Sequence, residues 1–543
     1  MSNRVENITI VGGGSAGWLA ASILSAALNR RNDGPDVDIT LIESPSIPTV
    51  GVGEATTFSM EVTLDQLKID EKDFIKRCNG SFKGAVRFVD WNVDQNGDGT
   101  TFYHPFEAPG YLHGYHLAYY YNKYAKRGGQ PSFIHSVVPS LAMIEQLKAP
   151  RAFDSRDYRG FIPYAYHMDA KLLADFLTDY ATSLGVTHIV DDVDEVRLDE
   201  RGFVSSLKLR EHGEHPIEFV IDCTGFRGFI IKEALGEPFI PYGDWLLCDR
   251  ALALQIPHPD DGKIAPFTTS QALGAGWAWN VPLYTRLGTG YVFSSQFRTD
   301  AEAIDEFLGH LGLDEGDAEP KVVPMRIGRS RRSWVKNCLA IGLAGGFIEP
   351  LESTSLHFTQ MAIRWFIDHF PDKEVSPALS GAYNRLSANL YEEIRDFITM
   401  HYYTSNRTDT AFWKAAREDV KVPDTLIEKL ELWKHKIPGI IDTNEPYSMF
   451  ENWNYICILA GKGYFDGRTY PLEGAISDQD YLDYCKLVMA RRNDLLARAP
   501  DHYELLTRIR SEDYATWYNP DVSFVTGSAM AAEAKAATSS AIV

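Results

Sequence analysis

The chain is poor in cysteine: 543 residues carry only six, Cys78, Cys223, Cys248, Cys338, Cys457 and Cys485, with no C-x-x-C pair and no Cys/His cluster at zinc spacing. That pattern excludes a disulfide framework and a structural zinc site, and it leads us to expect a reduced, metal-free, cytoplasmic protein. Positive charge is also short, with 53 Lys and Arg against 74 Asp and Glu and a formal net charge of −21. A chain that tracks nucleic-acid phosphates would be basic, so nucleic acid is excluded as a partner. No apolar run approaches the roughly 20 residues of a membrane span, and the chain enters a strand pattern without a secretory apolar segment, so no membrane association is expected. Tandem repeats are absent, and composition excludes a disordered or collagenous chain. What stands in excess is aromatic surface: 12% of residues, as 28 Phe, 27 Tyr and 11 Trp.

The order of patterns indicates an α/β fold. Ile8-Thr-Ile-Val11 is a continuous β-branched run, as in a parallel strand buried on both faces. Gly12-Gly-Gly-Ser-Ala-Gly17 makes a turn, Trp18 to Leu28 reads as an apolar helix, and Asp38-Ile-Thr-Leu-Ile42 is a second strand closed by Glu43. Phe219-Val-Ile221 and Leu339-Ala-Ile341 are further strands of that type. Short β-branched runs over 185–295 predict a second sheet. From Ser353 to about residue 510 helical spacing dominates, with Phe358, Met361, Ala362, Trp365 and Phe366 on one face. Residues 516–543 have no core pattern and are expected to be a flexible tail.

Gly12-x-Gly14-x-x-Gly17 follows a strand and opens a helix, the context in which this spacing binds a dinucleotide. The first glycine allows the tight turn, the second lets a pyrophosphate approach the backbone, and the third lets helix pack on strand. Glu43 is placed to accept hydrogen bonds from a ribose 2′-OH. The spacing alone leaves the dinucleotide open. Two segments favour FAD: the small-residue loop Thr49-Val-Gly-Val-Gly-Glu-Ala-Thr56 and the strand-ending turn Asp222-Cys-Thr-Gly225.

Five further segments resemble the flavin-dependent halogenases of the tryptophan-halogenase type: Gly80-Ser-Phe-Lys83-Gly-Ala-Val-Arg-Phe88, Phe102-Tyr-His-Pro-Phe106, Trp277-Ala-Trp279-Asn-Val-Pro282, Arg326-Ile-Gly-Arg-Ser-Arg-Arg-Ser-Trp-Val-Lys-Asn337 and Glu349-Pro-Leu-Glu-Ser-Thr-Ser-Leu356. The resemblance runs from Ile8 to about residue 510. It implies a Rossmann-like FAD-binding flavoprotein module over 1–350, with substrate-site segments inserted at about 80–125 and 240–325, and a mainly helical subdomain over 351–515 completing the pocket.

The activity implied is halogenation: FADH2, O2 and chloride or bromide give hypohalous acid at the flavin, and a lysine presents the halogen to an electron-rich ring. By this resemblance Lys83 is that lysine, and Glu352 stabilises the cationic ring and removes its proton. Thr354 and Ser355 would hold halide at a helix N-terminus capped by Ser353 or Thr354. The family usually has Gly at the position of Ser355, a departure that implies a tighter backbone approach or an altered anion preference. Trp277 and Trp279 would wall the tunnel and keep substrate off the flavin. FAD contacts carry over to Gly12, Gly14, Ser15, Ala16, Gly17, Glu43, Gly53, Ala55, Val190, Leu343 and Leu356.

His104 and Phe106 match the family's ring-sandwiching pair, and Met449, Phe450 and Asn454 fall in its substrate lid. There the usual Phe-Trp pair stands as Met449-Phe450, and adjacent tyrosines are missing. That departure implies an open pocket taking indole or a larger indolic or phenolic arene, with bromide accepted more readily than chloride. Because only one nucleotide fingerprint is present, reduced FAD is expected by diffusion from a separate reductase; the chain itself is expected to be a monomer or homodimer. Three other readings compete: an FAD monooxygenase hydroxylating aromatics, a silent FAD-binding or carrier protein, and an NAD-dependent dehydrogenase. Lys83, Glu352 and the paired tryptophans weigh against the first, Lys83 and Glu352 against the second, and direct NADH oxidation by the purified protein would be the sign of the third.

Overall fold

The computed structural model describes residues 4–29, 37–47, 53–128, 131–314, 316–443 and 445–511. The tail expected at 516–543 and positions 49–52 of the small-residue loop lie outside them. The first sheet has six strands in the order Thr187–Val190, Asp38–Glu43, Asn7–Val11, Phe219–Asp222, Cys338–Ala340 and Trp334–Val335. The first five are parallel and the last pair is antiparallel. Asn7–Val11 lies between two neighbours, so four of its five residues are buried, as its β-branched run requires. Helix Ser15–Leu28 leaves the glycine turn three residues earlier than the expected start at Trp18. Its mean composition is apolar because residues 17–26 are all buried.

A second sheet of seven strands runs Lys321–Pro324, Arg250–Ile256, Leu287–Phe293, Gly276–Pro282, Phe267–Leu273, Ala85–Val93 and Gly99–Pro105. All its pairings are antiparallel except Phe267–Leu273 on Ala85–Val93. A small antiparallel sheet, Gly53–Ala55, Ala165–Asp169 and Ser81–Lys83, stands beside it. Gly84 joins the two: its N–H donates to Pro266 O at 2.8 Å and its carbonyl accepts from Phe106 N at 3.0 Å. A Cβ on Gly84 would stand 2.9 Å from Ile144 Cδ1, so a larger residue at the junction would have to displace the Ile144 side chain.

From Ser355 to Arg510 every regular element is helical, beginning with Ser355–Asp368 and the 27-residue helix Pro377–Tyr403. The first ends two residues short of the expected limit near Phe370. Trp365 and Phe366 are buried on it, as the spacing predicts. Among the described residues no helix is long and apolar enough to cross a membrane.

Candidate active site

The C-terminal edge of the parallel sheet gathers the glycine turn. Gly12 has φ +119°, and a Cβ there would stand 2.3 Å from Cys223 O. A Cβ on Gly17 would stand 1.9 Å from Gly12 O, so the helix seats on the turn only with glycine at both positions. Around the Cβ position of Gly14 there is open space, and Gly14 is the N-cap of Ser15–Leu28 with no side-chain cap bond. That leaves the first helical N–H groups facing a cradle of the kind a pyrophosphate fills. Ser15 Oγ donates to Ala170 O at 3.2 Å, and Ala16 lies against Gly342, next to Leu343.

Glu43 passes over Gly13, and His188 Nε2 lies 3.0 Å from its Oε2. Val190, paired with Glu43, is 53% exposed at the same edge. Gly53 packs on Gly288 and Val281 in the short strand that also holds Ala55, and Leu356 is buried in the first turn of Ser355–Asp368. Glycine cradle, helix terminus and edge carboxylate together fit a dinucleotide.

Lys83 ends its strand with no exposed surface. Its Nζ donates to Ser353 Oγ at 2.9 Å and Thr56 O at 3.1 Å, and lies 5.4 Å from the Phe106 ring centroid. Burial pulls its ammonium down to about 7, against the attraction of Glu352. The segment supplying Ser353 and Glu352 is short: Pro350 opens the 3-10 turn Pro350–Glu352, and Ser353 takes a left-handed conformation at φ +60°. Ser353 is therefore the partner of Lys83 and not a helix cap. Thr354 occupies the N-cap position of Ser355–Asp368 with no side-chain cap bond. Its Oγ1 is buried and has no hydrogen-bond partner.

Glu352 is buried between two histidines. His104 Nδ1 lies 3.0 Å from its Oε1 and 3.1 Å from its Oε2, and His401 Nε2 lies 3.0 Å from Oε1. Burial alone would raise this carboxyl; the two imidazoles, His104 first, more than offset it and hold it at about 2. His104 Nε2 bonds Asn454 Oδ1 at 2.8 Å. Asn454 is thus tied to the histidine in place of standing free in the pocket.

Trp277 and Trp279 share one face of Gly276–Pro282 with ring centroids 6.3 Å apart. Trp277 Nε1 donates to Glu349 Oε2 at 3.0 Å, which also accepts from Tyr402 OH at 2.7 Å. Trp279 lies across Gly290, whose Cβ would meet its ring at 2.0 Å. In the 447–455 segment, Phe450 is buried and stacked on Phe397 at 3.7 Å. Glu393 accepts from the N–H groups of Phe450 at 3.3 Å and Met449 at 3.4 Å. Trp453, which the motifs did not single out, brings its ring within 5.7 Å of His104.

The family model for tryptophan halogenase matches residues 7–478. The chain belongs to the tryptophan halogenase family. The tryptophan 7-halogenase of Lentzea aerocolonigenes is 36% identical over 537 residues, covering 93% of this chain and 99% of that protein. Among solved structures, a tryptophan halogenase from Shewanella frigidimarina superposes with a TM-score of 0.87 at 33% identity, over 93% of this chain and 98% of that one. A flavin-dependent halogenase from Brevundimonas sp. BAL3 superposes with a TM-score of 0.84 at 33% identity, over 94% and 100% of the two chains.

In this halogenase the structure brings Lys83, Phe106, His104, Glu352 and Asn454 into one connected cluster, with Thr354 two residues beyond Glu352. Met449 and Phe450 enter through Glu393 and Phe397 and not by direct contact with Lys83. The motifs missed Ser353 as the lysine's partner, His401, Glu349 and Glu393. Glu349 opens a quoted motif without having been given a role there; His401 and Glu393 are polar residues buried among aromatics, and no spacing marks them.

Proposed function

We propose that this halogenase uses FADH2 and O2 to place chlorine or bromine on an electron-rich ring of the indole class, with reduced FAD supplied by a separate reductase. The observation that carries the reading is Lys83. An ammonium with no exposed surface, held by a carbonyl and a hydroxyl and facing an aromatic ring, is costly to keep, and groups perturbed in this way cluster at functional sites.

Gly12, Gly14, Ser15, Ala16, Gly17 and Glu43 would hold the reduced flavin at the glycine turn, bordered by Gly53, Ala55, Val190, Leu343 and Leu356, and FADH2 with O2 would supply the oxidising equivalent that converts halide to hypohalous acid. Thr354 Oγ1, buried without a partner at the N-terminus of a 14-residue helix, is a donor available to that halide, with the backbone of Ser355 beside it. Lys83, pulled down to about 7, has an amine lone pair as well as N–H donors near neutral pH, so it can hold the halogen either by a hydrogen bond or as a haloamine. Glu352, ionised, faces the developing ring cation and takes the ring proton. Trp277 and Trp279 exclude water and hold substrate and flavin apart. His104, Phe106 and Trp453 form the ring slot.

The relatives named above act on tryptophan or carry only the family description. With Met449-Phe450 in the lid, we assign this chain a wider substrate, free indole or a larger indolic arene. The test uses Lys83→Ala with FAD, a flavin reductase, NADH and bromide. The variant is expected to retain bound FAD and lose haloarene product; undiminished haloarene would remove Lys83 from the reaction.

A further inference from the structure

The spacing Gly12-x-Gly14-x-x-Gly17 leaves its second position free, yet this chain has glycine there as well. The reason lies across the turn. A Cβ on Gly13 would stand 2.2 Å from Glu43 Cδ, 2.4 Å from Cγ and 2.6 Å from Oε2, so the Glu43 side chain runs through the space that any larger residue would fill. The backbone at Gly13 is not left-handed, so the crossing side chain, and not the turn, calls for glycine there.

The far end of Glu43 is held too. His188 Nε2 lies 3.0 Å from Glu43 Oε2, at hydrogen-bond distance. His188 precedes Val190 by two residues on its strand and so shares a face with it, and Val190 pairs with Glu43 on the neighbouring strand. Trp18, next after the last glycine of the turn, is buried and meets the His188 ring edge-on with centroids 4.8 Å apart. Helix Ser15–Leu28 thus carries, in its first turn, both the N–H groups of the cradle and the ring that backs His188. Glu43 Oε1 has no hydrogen-bond partner among the described residues.

We infer that His188 is a positioning residue for the adenosine end of FAD: it fixes Oε2 of Glu43 and thereby presents Oε1 to the adenosine ribose. Gly13 lies beneath this carboxyl group and Trp18 behind the imidazole. The inference rests on the reading of the glycine turn as the FAD site and of Glu43 as its ribose acceptor. A glutamate free at a sheet edge samples several rotamers and loses that freedom when ligand binds. One pinned at Oε2 and confined over Gly13 has lost it on folding, so the ribose hydrogen bond forms at less entropic cost. Lys83 and Glu352 take no part in the clamp.

The test is a binding titration with two cofactors: FAD, and the FAD analogue with hydrogen in place of the adenosine ribose 2′-hydroxyl. Wild type should bind FAD about tenfold more tightly than the analogue, the worth of one hydrogen bond. His188→Phe keeps a ring against Trp18 and removes the nitrogen. It should weaken FAD and leave the analogue unchanged, bringing the two dissociation constants to near parity. Gly13→Ala provides an independent arm, because its methyl group displaces Glu43 with His188 intact, and it should erase the same preference. A fold defect alone would weaken both cofactors by one factor and leave their ratio as in wild type. Retention of the wild-type ratio in His188→Phe overturns the inference; should that variant not fold, retention in Gly13→Ala overturns it. Wild type binding both cofactors equally would instead overturn the ribose role of Glu43, and wild type binding neither would overturn the flavin reading.

Discussion

Lys83 shows what one residue costs and what it allows. Burial holds it near 7, against 10.5 in an ordinary lysine, and each tenfold loss of proton affinity on folding corresponds to about 1.4 kcal/mol. Its ammonium therefore opposes folding at neutral pH by about 4 kcal/mol as an upper bound. The unfolded chain binds the extra proton between about pH 7 and 10.5, so this cost fades as pH rises through that window. Lys83→Met should therefore melt at a higher temperature than wild type at about pH 7, with the gap narrowing at about pH 9, while halogenation is lost. Paired thermal melts check this, and a variant less stable than wild type at neutral pH would contradict it. The motif around Lys83 was legible in the sequence; its partners were not. Ser353 reads as a cap residue, and only the left-handed backbone at that position shows that its hydroxyl turns to Lys83. His401 sits in the amphipathic pattern of a long helix and reads there as core.

At the scale of elements, the proposed site lies between the N-terminus of Ser355–Asp368 and the 447–455 segment proposed as its lid. Thr354 leaves the N-terminus of Ser355–Asp368 without a side-chain cap, a defect for the helix alone and a free donor for an anion. Thr354→Val should raise the half-saturating bromide concentration by about tenfold, the loss of one hydrogen bond of about 1.4 kcal/mol, with the rate at saturating bromide less affected. A steady-state bromide titration measures it. The lid is fastened from below, because Glu393 on Pro377–Tyr403 takes both lid N–H groups, while burial pushes its carboxyl up to about 7. Glu393→Ala strands the buried Phe450 donor at about 1–3 kcal/mol and frees the part-buried Met449 N–H at less. Amide exchange across 447–455 should then accelerate and KM for indole rise more than kcat falls. Protection equal to wild type would show that Phe397 stacking alone holds the lid.

For the whole molecule, the strand, glycine turn and helix at the N-terminus could be read directly, since each local pattern agrees with the fold, and so could the helical stretch after Ser353. The junction that makes the site could not. Lys83 meets Phe106 because Gly84 carries the chain between two sheets, and Ala85–Val93 then pairs with Phe267–Leu273, far away in sequence. Such pairing is set by register and packing between distant segments, which local periodicity does not record. The aromatic excess likewise divides only in three dimensions. Trp365 and Phe366 fill the core, while Phe106 faces the buried lysine, His104 bonds the buried carboxylate and meets Trp453, and Trp277 and Trp279 pack on each other with Trp277 bonded to Glu349. The most direct measurement is the mass of the product formed from indole by wild-type protein with FAD, a reductase, NADH, O2 and bromide. The expected product is a monobrominated indole bearing bromine's isotopic doublet; a hydroxylated ring without bromine, or no product with any indole, phenol or tryptophan tried, contradicts the assignment.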